Sequence, residues 1–83
     1  MNMKARTAKQ IGEAFRRVRK RKGMTQKDVS ARTNLRVATI SSLENGDAGT
    51  QLRTVMAVLA ALDLEFTIQD RGTDGKDLED IFS

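Results

Sequence analysis

Residues 24–46 read MTQKDVSARTNLRVATISSLENG. Thr25 suits a helix N-cap, and Asp28 stands three residues on, the spacing of a capping box. Met24 before the cap and Val29 after it are placed to form a hydrophobic staple across the first turn. This short helix stops near Thr33, because Asn34 tolerates the left-handed backbone of a tight turn. A second helix is expected from about Val37 to Asn45, with Ile40 and Leu43 on its core side and Gly46 closing it. Val29 and Leu35 fall beneath both helices. Ser30 and Asn34 are small enough for the helices to approach closely. Two short helices across a three- to four-residue turn make a helix-turn-helix. A hairpin of this size also occurs in proteins that never meet DNA.

Working outward, Thr7 and Gln10 form another capping box, and a first helix is expected from about Ala8 to Lys22. Ile11, Phe15 and Val18 make its apolar stripe. Gly23 ends it, with cations beside the negative end of the helix dipole. On the other side, Asp47, Ala48 and Gly49 form a loop and Thr50 is the expected cap of a fourth helix, Gln51 to Leu62. Leu52, Val55, Met56, Leu59 and Leu62 compose its apolar face. Then the period falls to two. Leu64 to Gln69 alternates apolar and polar residues, the pattern of a strand with one buried face. One strand cannot satisfy its own backbone groups, so its simplest partner is the same strand of a second subunit. Leu64, Phe66 and Ile68 are then the dimer interface. The expected fold is all-α, a compact unit of four to five helices with one C-terminal β-strand that pairs across a dimer. Residues 1–69 form this domain. Residues 70–83 read as an acidic flexible tail.

Eighty-three residues allow one domain. The chain has no Cys and no His. This excludes disulfides, the usual zinc ligand sets and a Ser-His or Cys-His nucleophile. The acids Asp70, Asp74, Asp77, Glu79 and Asp80 do not follow a calcium-loop spacing. No catalytic residue, metal site or cofactor is expected. The longest apolar run, Val55 to Leu62, is far below the ~20 residues of a membrane span. The N-terminus lacks the apolar stretch of a signal peptide, so a cytoplasmic protein is expected. Charge is divided unevenly. Residues 1–46 carry twelve Lys or Arg against Glu13, Asp28 and Glu44, net +9. Residues 47–83 carry three Lys or Arg against eight acids, net −5. A basic half of a folded domain is the footprint of a polyanion partner, and equally the look of a solvated charged face.

Gly23 and the segment after it resemble the Cro/cI repressor family, also called the XRE family. The MTQ opening, the ATIS start of the second helix and the LENG ending carry the resemblance, which extends over residues 8–62. Ser30 and Asn34 depart mildly from the family's usual Ala and Gly. The resemblance implies a lambda-repressor-like domain that binds double-stranded operator DNA as a homodimer. Its recognition helix then sets Arg36, Val37, Ala38 and Thr39 at the base edges, with Ser42 one turn on. Arg36 suits a bidentate contact to guanine, or a phosphate. Val37 and Ala38 suit thymine methyl groups. Gln26 resembles the family's phosphate-contacting Gln, and Asn45 should lie near the backbone. Arg16 and Lys20 are further candidates from the basic first helix. Lys4 and Arg6 lie on an arm that either reaches a groove or frays. Glu44 is read as structural and paired with an Arg of the first helix.

The strand and tail after the fourth helix resemble HipB-type antitoxins. That implies a repressor of its own operon that also binds a HipA-type kinase toxin. Leu78, Ile81 and Phe82 fall at i, i+3 and i+4 and are the expected partner-binding tail. A stand-alone regulator, such as a controller protein or phage-type repressor, would read DNA with the same residues and have no kinase.

Overall fold

The computed structural model describes residues 3–71. Four helices are present among them: α1 (Ala8–Arg21), α2 (Gln26–Thr33), α3 (Val37–Glu44) and α4 (Leu52–Ala61). Local chemistry sets their ends. The Thr7 hydroxyl accepts from the Gln10 amide at the start of α1. Thr25 and Asp28 cap α2 reciprocally: the Asp28 amide donates to Thr25 Oγ1 at 3.0 Å and the Thr25 amide to Asp28 Oδ2 at 2.8 Å. These hydrogen bonds, backbone first, hold the Asp28 carboxyl below its ordinary pKa.

Three helices end in the same way. After α1, the Met24 amide donates to the Arg19 carbonyl and the Gly23 amide to that of Lys20. After α3, Asp47 reaches Ser42 and Gly46 reaches Leu43; after α4, Leu64 reaches Leu59 and Asp63 reaches Ala60. These are Schellman motifs. Each needs a left-handed residue, supplied by Gly23, Gly46 and Asp63. Asn34 takes the left-handed position after α2, with φ 61°, as its sequence position requires.

The core draws on every helix: Phe15 and Val18, Val29, Ile40 and Leu43, Val58 and Leu59, with Leu62 just beyond α4. Met24 and Leu35 pack against it from the two ends of α2, and Leu64 from the end of the α4 motif. α1 crosses α3 closely, because Gly12 leaves room for the α3 backbone. A Cβ there would strike the carbonyl oxygens of Leu43 and Glu44. The turn between α2 and α3 is stitched by side chains. The Ser30 hydroxyl donates to the Leu35 carbonyl. Thr33 Oγ1 donates to the Val29 carbonyl at 2.8 Å and accepts from the Leu35 amide at 3.1 Å.

Three expectations for the C-terminal half need correction. Gln51, not Thr50, occupies the N-cap of α4, and no side chain caps it. Thr50 instead closes a turn by donating its amide to the Asp47 carbonyl. The buried face of α4 is rotated from the expected one: Thr54 is buried with Val58, Leu59 and Leu62, whereas Leu52 is 67% and Met56 47% exposed. Lastly, no strand exists among the described residues, and residues 64–69 carry no regular structure. Leu64 packs on the core, but Phe66 and Ile68 stand in solvent. Among the described residues there is no second strand to complete a ladder. The Leu78, Ile81 and Phe82 triplet lies outside the described residues.

Candidate nucleic-acid interface

α3 is short and has two distinct faces. Ile40 and Leu43 are buried and fix the helix to the core. The opposite side begins with Arg36 at the N-cap and continues through Val37 and Ala38, all exposed. Thr39 is half-buried, while Ser42 and Asn45 are exposed. The structure therefore brings Arg36, Val37, Ala38 and Ser42 to the solvent side of one helix. Val37 is 40% exposed, a β-branched apolar side chain that the core does not use.

Gln26 opens α2 and is half-buried. Its side-chain Nε2 donates to Glu44 Oε1 at 3.1 Å. Glu44 is buried and accepts two further bonds from Arg19, from Nε at 2.7 Å and from Nη2 at 3.0 Å. The remaining Arg19 nitrogen, Nη1, donates to the Met24 carbonyl at 2.9 Å. The partner of Glu44 on the first helix is thus Arg19. Hydrogen bonding to Glu44 raises the Arg19 pKa further, against the opposing effect of burial. Among the described residues the backbone amides of Gln26 and Lys27 have no hydrogen-bond acceptor. Two open N–H groups at the positive end of a helix suit an anion.

Arg16 and Lys20 are exposed on α1 and, four residues apart, share one side of it with Lys9. The N-terminal arm is laid against the domain. Met3 packs on the core, the Arg6 amide donates to Gln10 Oε1, and Arg6 Nη2 donates to the Arg71 carbonyl at 3.1 Å.

Sequence reasoning missed Arg53. It lines an open groove with Thr39 and Ser42 of α3 and with Asp47, Gln51 and Thr54. A cation in the first turn of a helix opposes the dipole, and that was the available signal. Gly12 was also missed, as was which arginine of the first helix pairs with Glu44, since both depend on how α1 crosses α3. Among the described residues no group of three or more His, Cys, Asp or Glu is placed to hold a metal ion. Nor is any described helix long and apolar enough to cross a membrane.

A capped helix, a left-handed turn and a second helix with one anchored and one open face define a helix-turn-helix DNA-binding domain. Residues 15–69 match the family HTH_3, described as helix-turn-helix, and the chain belongs to that family, of XRE type. It is 34% identical over 61 residues to the antitoxin HipB of Escherichia coli O6:H1, covering 74% of this chain and 65% of that protein. It also superposes on HipB from a HipB–O4 20mer complex with a TM-score of 0.81 at 31% identity, covering 86% of this chain and all of that one. A chain of the HipA–HipB–O2–O3 complex matches with a TM-score of 0.80 at 31% identity, again over 86% of this chain and all of that one.

Proposed function

We propose that the protein is a dimeric operator-binding repressor and the antitoxin of a HipA-like kinase toxin. The open face of α3 carries the DNA-binding part of this reading: Arg36, Val37 and Ala38 stand in solvent while Ile40 and Leu43 hold the helix down. Arg36 through Thr39, with Ser42, read the bases. Gln26 and Asn45 contact phosphates, and Arg16 and Lys20 add sequence-independent attraction. The likeness to HipB over the whole of the matched chain in the HipA–HipB–O2–O3 complex supports the toxin partner.

Dimerisation is assigned to residues 64–69. The exposed Phe66 and Ile68 support this, because pairing with a second copy buries them and completes a ladder. Residues 1–69 are then the DNA-binding and dimerisation domain. Residues 70–83 form the tail, with Leu78, Ile81 and Phe82 for the toxin. Two recognition helices in a dimer should meet half-sites about 34 Å apart.

Selection of duplexes from a random library tests the repressor reading. The expected product is a pseudo-palindromic site whose binding weakens with salt at a log–log slope of about −5 to −9. Enrichment of no site, or a slope near zero, overturns it. Capture of a HipA-like kinase by the full chain but not by residues 1–69 tests the partner and its tail contact. Binding of DNA without any kinase would leave a stand-alone regulator.

A further inference from the structure

A buried carboxylate on α3, the helix that presents the open face, is an oddity in a basic domain, since an acid repels phosphate. Glu44 is the only acid within α2 and α3 apart from Asp28, which the capping box employs. Its two oxygens take three hydrogen bonds: two from Arg19 on α1 and one from Gln26 at the start of α2. The Arg19 charge neutralises it, and burial hides it from solvent. What remains is an acceptor fixed by two helices, holding one N–H of the Gln26 amide. A primary amide has two N–H donors. The second stays available beside the unpartnered Gln26 and Lys27 backbone amides.

We propose that the Arg19–Glu44 pair is a positioning device that locks the Gln26 amide in place to donate its second N–H to a DNA phosphate. This rests on the reading of Gln26 as a phosphate contact. A glutamine amide free in solvent must give up rotamer freedom when it binds; one already anchored by Glu44 has lost it on folding. Glu44 therefore favours DNA binding despite its sign. Both partners of the pair act through Gln26 and neither touches DNA.

The test is a double-mutant cycle on a duplex that the wild-type protein selects from a random library, at one fixed salt concentration. One background is wild type. The other is Arg19→Met with Glu44→Leu, which removes one charge of each sign and leaves net charge unchanged. Replacing both members of a buried pair with apolar residues is often neutral for folding, and a thermal melt verifies it. In wild type, Gln26→Ala should weaken binding about tenfold, as loss of a hydrogen bond to a charged group does. In the paired background the same change should cost no more than about twofold. Equal losses in both backgrounds overturn the proposal and leave the DNA reading intact. Failure of the wild-type protein to select any duplex overturns both. If the paired variant does not fold, the side-chain amide of Gln26 in the free wild-type protein decides. Its heteronuclear NOE should be rigid beside that of Gln69, which has no hydrogen-bond partner among the described residues. A Gln26 amide as mobile as that of Gln69 overturns the proposal.

Discussion

Between Arg19 and Asp47, buried polar side chains are answered within the fold. The Arg19–Glu44–Gln26 network, the Thr25–Asp28 box and the Ser30 and Thr33 stitches join three helices through side chains. No buried side-chain nitrogen or oxygen among the described residues lacks a partner. Between Leu52 and Arg71 the situation reverses. Leu52, Met56, Phe66 and Ile68 expose apolar surface. The first region satisfies its buried side chains within a single chain. The second carries surface whose burial would release free energy, at about 25 cal/mol per Å² of apolar area. The two regions thus differ in whether a partner is needed to finish them.

Breaking the first region should have the largest effect. Glu44→Ala leaves the Arg19 guanidinium buried without its carboxylate, and should cost about 3–5 kcal/mol of unfolding free energy. Urea denaturation measures it; a loss below about 1 kcal/mol would mean the pair is effectively solvated. Next is Gly12→Ala. The added methyl meets the α3 backbone, which cannot yield as a side-chain tip can, so about 1–3 kcal/mol should be lost as α1 is displaced. DNA affinity should fall as well, since α3 moves.

The capping box gives a pH signature of the same region. The Asp28 carboxyl is depressed in the fold relative to its ordinary value of 3.8, so its contribution is present above that value. It is lost as pH falls through the lowered folded value. Asp28→Asn should flatten the acid side of the stability profile below about pH 4. Acid denaturation of the two proteins side by side checks this, and parallel curves would show that the cap does not titrate with folding.

The smallest effect sharpens the other side of the comparison. Phe66→Ser with Ile68→Ser alters side chains that stand in solvent, so monomer stability at high dilution should stay within about 0.5 kcal/mol of wild type. Sedimentation at higher concentration should lose the dimer. An unchanged dimer would place self-association on the exposed Leu52 and Met56 surface instead.

The helix-turn-helix was legible because its signals are short-range. A Thr with an Asp three residues on, an Asn at a turn and a Gly after a helix each act within five residues of chain. Arg36, Val37 and Ala38 were legible as an open face for the same reason, since Ile40 and Leu43 take the opposite side. The face of α4 was not. Leu52 and Met56 fit the helical period as well as Val58 does, and only the packing of α2 against α4 decides which side is covered. Glu44 was legible as structural from its sign, but Arg19 as its partner was not. Several arginines on α1 were available, and the crossing at Gly12 selects one.

By itself the sequence determined where α1, α2 and α3 start and stop, how the chain turns between α2 and α3, and which half of the chain is basic. Those properties follow from dihedral preferences, local hydrogen bonds and composition, which need no distant partner. The tertiary structure decided the Arg19–Glu44–Gln26 network, the rotated face of α4 and the exposure of Phe66 and Ile68. Each depends on atoms far apart in the chain. Helix crossing selects the contacts, and a strand without a second strand has no ladder to join.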